Sequence, residues 1–130
     1  MPLNAYYCPA GDFLAWDEEL MAAGYRQIGD AWVYLIIAHE WGHAIQARLQ
    51  REQVSVAAEL QADCLAGAAL QGSVDDGVLA IEPGDTQEIT DTLVAVADDF
   101  PWSDSSSHGN AEQRVGAFNL GVSDGLRGCI

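Results

Sequence analysis

The stretch His39-Glu40-Trp41-Gly42-His43 constrains this chain more than any other. It is an H-E-x-x-H motif, and it continues the apolar run Ala31-Trp32-Val33-Tyr34-Leu35-Ile36-Ile37-Ala38. If that run is helical, His39 and His43 stand one turn apart on one face, where both imidazoles can reach one metal ion. Glu40 is rotated about a quarter turn away from His39. It is badly placed for a third ligand and well placed to hold the water a catalytic site would use. Two neutral imidazoles suit Zn²⁺, and a catalytic zinc needs one more protein ligand and an open position. Because H-E-x-x-H also arises on ordinary helix surfaces, the rest of the chain has to supply that ligand.

Glu59-Leu60-Gln61-Ala62-Asp63 offers two carboxylates four residues apart, on one face of a second helix. Residues 44 to 58 suffice for a helix end, a turn and a helix start, so the two helices are expected to run antiparallel and bring Glu59 beside the histidines. Glu59 would complete a His-His-Glu set. Asp63 is placed to accept a hydrogen bond from the non-ligating ring nitrogen of a zinc histidine, which fixes the tautomer and raises ligand basicity. A Glu/Asp pair alone is usually a solvated face; in combination with H-E-x-x-H it points to zinc.

At 130 residues the chain is expected to form one domain, residues 1–130, and 49% hydrophobic content suits a packed core. The 20 acidic residues against 5 basic ones, all arginine, give a formal charge of −15. A phosphate backbone would be repelled by such a surface, so nucleic acid is not an expected partner. No apolar run approaches the ~20 residues of a membrane-spanning helix, so no membrane segment is expected. Met1-Pro2-Leu3-Asn4 has no basic n-region and does not read as a signal peptide. Of the three cysteines, Cys8, Cys64 and Cys129, one is left over if a disulfide forms, and none sits in a C-x-x-C pair. Cys64 reads as a small buried apolar residue.

Taken in order, Tyr6 to Pro9 and Phe13 to Trp16 flank the turn-like Ala10-Gly11-Asp12 and predict a hairpin, the only sheet, with an edge open to an extended peptide. Asp17 to Ala23 predicts a short helix stopped by Gly24. Asp30 is a candidate N-cap for the motif helix, which should run to about Gln50 and, being apolar on nearly all sides, should be the buried central one. Gly42 costs helix propensity, which suggests close approach of another backbone or a plain packing contact. Ser55 can cap the next helix, Val56 to about Gln71, with Gly72 as its stop and the small residues 66–69 packing against the first helix. Asp85 and Glu88 form a candidate capping box for a helix ending near Asp98-Asp99. A polar loop through Ser103 to Asn110 follows, and Asn110 with Gln113 repeats the capping box for a last helix before an irregular tail. The predicted class is therefore mainly α (α+β), a compact zincin-like helical domain with a short N-terminal β-hairpin.

The runs His39-Glu40-Trp41-Gly42-His43-Ala44-Ile45-Gln46, Glu59-Leu60-Gln61-Ala62-Asp63-Cys64-Leu65-Ala66-Gly67 and His108-Gly109-Asn110-Ala111-Glu112-Gln113-Arg114 together resemble the neutral zinc metallopeptidases of bacteria. Tyr7-Cys8-Pro9, Ile81-Glu82-Pro83-Gly84-Asp85 and Cys129 fit the same pattern, so the likeness covers almost the whole chain. It is similar to the wider gluzincin group, to which thermolysin belongs, in which a Glu on a second helix is the third ligand. The resemblance implies a Zn²⁺ cofactor held by His39, His43 and Glu59, with Glu40 as catalytic base and a peptide or protein as substrate. Members are usually longer at the N-terminus and often carry a membrane anchor there, which implies a cell-envelope or extracytoplasmic setting. This chain begins almost at the hairpin.

Peptide hydrolysis also develops negative charge on the former carbonyl oxygen, and a donor opposite the metal lowers that barrier. His108 is a candidate for that role or else an exposed loop histidine; a fourth ligand would close the position water needs. Arg114 is a second candidate for the oxyanion or for a substrate carboxylate, and Tyr6 and Tyr7 are weaker ones. The competing expectation is a non-catalytic zinc-binding or protein-interaction module, against which the intact Glu40 argues.

Overall fold

The computed structural model describes residues 4–51, 55–97 and 109–130. A hairpin of β1 (Ala5–Cys8) and β2 (Phe13–Trp16) leads into α1 (Glu18–Gln27), α2 (Asp30–Arg48), α3 (Val56–Asp75), α4 (Asp85–Ala95), α5 (Ala111–Asp124) and a closing 3-10 turn, Gly125–Gly128. The architecture is mainly helical, as expected, and the antiparallel hairpin is the one sheet among the described residues. No helix among them is long and apolar enough to cross a membrane.

In the hairpin Tyr7 pairs with Leu14 and Tyr6 with Ala15. Its turn closes through the Asp12 amide donating to Cys8 O at 2.8 Å, with Asp12 in the left-handed region at φ 56°. Asp is among the few residues that tolerate that region. The Arg48 guanidinium, from the last turn of α2, donates to both Asp12 oxygens at 3.0 and 2.9 Å. The hairpin is thereby tied to α2.

Several helix ends differ from the sequence expectation, each for a local reason. α1 runs through Gly24 to Gln27; Gly24 marks a packing contact, because a Cβ there would overlap the Trp32 indole. α3 likewise continues past Gly72 to Asp75, and the chain turns at Gly77 with φ +77°. Asp30 is the first helical residue of α2 instead of its cap, and Gly29 occupies the cap position. The amide of Ala31, in the first turn where no intrahelical acceptor exists, is taken by Glu88 of α4, at 3.2 Å from Oε1. Glu88 is therefore not closing a capping box on its own helix: Gly84 precedes α4, and Asp85 turns back to accept from the Glu82 amide at 2.9 Å. The box expected at Asn110 and Gln113 does form, at 2.8 and 3.0 Å. α4 ends at Ala95, short of Asp98 and Asp99, which lie outside the described residues, as does the Ser103–His108 loop.

α2 is buried on most sides because apolar side chains leave it in two directions. Trp32 and Ile36 join Ala5, Leu20, Met21 and Val96 in one cluster, while Leu35 and Ala38 join Ala66, Leu93 and Phe118 in the other. Residues such as Leu35 and Ile36, with no exposure, each contribute about 1.5–3 kcal/mol by leaving water. α3 approaches α2 at Gly42, where a Cβ would come within 2.8 Å of the Ala62 carbonyl oxygen. The small residues of α3 serve two partners, since Ala66 packs in the cluster with α2 and Gly67 meets the α5 backbone at Phe118. Gly121 of α5 sits in turn against the Cys64 carbonyl.

Cys64 is buried as expected, but it is a disulfide partner instead of a free apolar residue. It bonds to Cys129 across a sequence separation of 65, pinning the 3-10 turn to α3 and leaving Cys8 free. In the chain-entropy treatment a loop of that size adds about 4 kcal/mol of stability.

The α3–α5 contact gives an internally controlled test. Gly121→Ala should destabilise by about 1–3 kcal/mol, since the added methyl meets backbone that cannot rotate away. Gly116→Ala, on the same helix but with open space around it, should be neutral or stabilise by about 0.4–1 kcal/mol. Urea unfolding of both variants checks this, and equal effects would contradict the packing.

Candidate metal centre

α2 and α3 run antiparallel, and the turn of α2 that carries His39 and His43 faces the first turns of α3. His39 Nε2 lies 3.4 Å from Glu59 Oε1, and His43 Nε2 lies 2.9 Å from Glu59 Oε2. One ligand atom from each residue falls within 4.8 Å of the others, and the two rings stand at 86° with centroids 4.9 Å apart. A tetrahedral zinc with bonds of ~2.0–2.1 Å sets its ligand atoms ~3.3 Å apart, so the group is spaced for one such ion. Two imidazoles and a carboxylate also form a donor set found at catalytic zinc sites. The residues fit the metal.

Each histidine is held from behind by a different group. His39 Nδ1 is 2.7 Å from Asp63 Oδ1, and a carboxylate can only accept, so the proton is on Nδ1 and Nε2 points to Glu59. His43 Nδ1 is 2.7 Å from Gln46 Oε1. Asp63 itself is fully buried and gripped by Arg114, whose Nε and NH2 donate to its two oxygens at 2.7 and 2.8 Å. The third guanidinium nitrogen donates to Val96 O at the end of α4, at 2.6 Å.

Charge follows from this arrangement. Burial opposes ionising His39, but the Asp63 charge and hydrogen bond, helped by Glu59 and Glu40, outweigh it and raise the ring from 6.5 to about 10. A metal would therefore displace a proton there. Burial alone would raise the Asp63 carboxyl; Arg114 and then His39 overcome it and hold it below its ordinary value. Glu40 is raised by burial to about 7, with His39 and His43 opposing, Glu59 assisting, and a hydrogen bond from the Tyr7 backbone opposing. A cation among its neighbours would shift it back towards the charged form.

The sequence-predicted residues thus divide. His39, His43, Glu59, Glu40 and Asp63 come together. Arg114 does not present its guanidinium to a substrate; it is fully buried and committed to Asp63 and Val96. Tyr7 directs its hydroxyl to Asp12 Oδ1 at 2.8 Å, within the hairpin's tether, and only its backbone meets Glu40. His108 lies outside the described residues. Gln46 was not singled out, although its place three residues after His43 and seven after His39 put it on the metal face of α2. A groove of about 660 Å³ beside Ile37, Trp41, Leu70 and Leu79 is bordered by none of the metal-candidate residues.

Residues 3–129 match the family described as "putative neutral zinc metallopeptidase". The chain belongs to this family. Uncharacterized protein YpfJ of Escherichia coli K12 is 31% identical to it over 152 aligned residues, covering 95% of this chain and 52% of that protein. Uncharacterized proteins Mb2605 of Mycobacterium bovis and Rv2575 of Mycobacterium tuberculosis are each 28% identical, with 95% of this chain and 53% of theirs covered. The chain spans about half the length of these relatives, and no solved structure matches it.

Arg114 gives this family member's site a stability signature. Arg114→Met leaves a buried carboxylate without its countercharge and should cost about 3–5 kcal/mol in urea unfolding at neutral pH. The folded pKa of Asp63 lies below the ordinary 3.8, so the pair's contribution is complete above that pH and fades as pH falls through the folded value. The gap between wild type and variant should therefore narrow in acid. A gap that is absent at pH 7, or that widens in acid, would contradict the ion pair.

Proposed function

We propose that this chain is a zinc-dependent peptidase, with His39, His43 and Glu59 as metal ligands and Glu40 as general base. One observation carries the reading: three donors converge within 4.8 Å, while a further buried carboxyl, Glu40, adjoins them outside the ligand group. A structural zinc is closed by a fourth protein ligand and has no use for a base. The group formed by the described residues supplies three ligands.

Zinc, when bound, supplies a Lewis acid that polarises a peptide carbonyl and lowers the pKa of water towards ~7. Glu40 takes a proton from the attacking water and returns it to the departing amine. Its burial and its hydrogen bond to the Tyr7 backbone keep the carboxyl in one place for both transfers. Asp63, kept charged by Arg114, orients His39. The outer edge of β2, where Phe13 and Trp16 are exposed, suits an extended peptide, which adds to a sheet by main-chain hydrogen bonds.

The competing reading is a non-catalytic metal-binding or protein-interaction module on the same scaffold, against which the intact Glu40 argues. The two readings part at Glu40. Glu40→Gln should keep zinc at wild-type stoichiometry and lower peptide hydrolysis roughly 10²- to 10⁴-fold. Glu59→Ala should lose zinc, because it removes a ligand. Metal analysis alongside a mixed-peptide cleavage assay, with and without chelator, measures both. Equal cleavage by Glu40→Gln would remove the base assignment, zinc-loaded wild type that cleaves nothing would favour the module, and undiminished zinc in Glu59→Ala would move the third ligand elsewhere.

A further inference from the structure

We infer that Gln46 is a positioning residue that fixes which nitrogen of His43 carries the proton and so presents the His43 Nε2 lone pair to the metal. The inference rests on the zinc site proposed above and concerns a residue to which that proposal gives no role.

Hydrogen-bond direction decides which His43 nitrogen carries the proton. Gln46 has no exposure, so its amide must be satisfied inside the protein. Its Nε2 lies 2.7 Å from the Ala58 carbonyl oxygen and 2.9 Å from Gln61 Oε1. A backbone carbonyl can only accept, so the Gln46 NH₂ must face Ala58 and its Oε1 must face His43. Gln61 is fixed in the same way, because its Nε2 donates to Cys129 O at 2.9 Å and leaves its own Oε1 towards Gln46. Two main-chain carbonyls therefore determine two side-chain amides. The Gln46 oxygen, an acceptor only, then requires a proton on His43 Nδ1 at 2.7 Å. Nε2 is left as the ring's ligand atom, on the side of Glu59 Oε2.

Gln46 thus does for His43 what Asp63 does for His39, with one difference. A neutral amide orients the ring without adding charge, where a second buried carboxylate would need a countercharge of its own. The site already holds Glu40, Glu59 and Asp63 buried, and its one buried guanidinium is committed to Asp63. The first turns of α3 also shape the device, since Ala58 is adjacent to Glu59 in sequence. The same helical turn places the third ligand and fixes the tautomer of the second.

The test uses the full chain, with zinc as the probe, and reads the ring directly. In ¹⁵N-imidazole spectra His43 should show a protonated Nδ1 in both the metal-free and the zinc-loaded protein, and an unprotonated Nε2 in the zinc-loaded one; in the metal-free protein Nε2 faces the Glu59 carboxylate at 2.9 Å, which can only accept. An Nδ1 without its proton in wild type, in either state, would overturn the inference without any variant. Gln46→Met keeps the volume but removes the acceptor. It should mix the tautomers and weaken zinc binding on the order of 10- to 100-fold in chelator competition, as loss of an outer-shell partner does. Wild-type zinc affinity in Gln46→Met would also overturn it. If wild type binds no zinc, the peptidase reading fails, while the metal-free spectrum still decides the role of Gln46.

Discussion

The carboxylate of Asp63 is the point at which the helices of this chain are held together by charge. It stands on α3, accepts from His39 on α2 and is clamped by Arg114 on α5, whose remaining nitrogen reaches the end of α4 at Val96. All four groups are fully buried. An isolated carboxylate in that position would be neutralised or expelled, and an isolated guanidinium would fare no better. Paired and with every oxygen engaged, the group is tolerated, and its geometry leaves little freedom to the ring that it orients. The backbone spacing it requires is provided by glycine: Gly42 lets α3 lie against α2, and Gly67 and Gly121 let α5 lie against α3. Packing and site are therefore one problem, solved by the same crossings.

From this follows an asymmetry between the two histidines. His39 is buried at the centre of the ion network and carries a ring whose basicity is raised by a carboxylate. His43 is nearer solvent and is backed by an amide whose direction is set by main-chain carbonyls. In the proposed zinc site the first histidine would anchor the metal and the second would sit on the side from which water and substrate arrive. The disulfide from Cys64 to Cys129 is continuous with both arrangements, since Cys64 follows Asp63 and the Cys129 carbonyl ends the amide chain behind His43.

Much of this was legible in the sequence because it depended on periodicity. The i, i+4 spacing of His39 and His43, the matching spacing of Glu59 and Asp63 and the length of chain between them sufficed to predict the antiparallel pair and the residues that meet across it. The central position of α2 followed from its apolar character on every side. What escaped was non-local. Glu88 read as part of a capping box on its own helix, yet it serves the start of α2, a partner 57 positions away in sequence. Gly24 read as a stop, although a glycine needed for close packing has the same local signature as one that ends a helix; Gly72, with open space around it, is accommodated within α3. Arg114 read as a substrate contact because nothing in sequence distinguishes an arginine facing a cleft from one facing a buried acid. Its place four residues before Phe118, on the same face of α5, was the available sign that it points inward. The Cys64 pairing was likewise invisible, because three cysteines leave the partner open.

The central claim is that one zinc ion is held by two imidazoles and a carboxylate from facing turns of α2 and α3. X-ray absorption at the zinc edge of the metal-loaded protein addresses it most directly. The account predicts one zinc per chain with a first shell of nitrogen and oxygen at ~2.0–2.1 Å, imidazole scattering beyond it and no sulfur. A sulfur shell at ~2.3 Å, which would bring in a thiolate such as Cys8, or a zinc environment without imidazole, would contradict it.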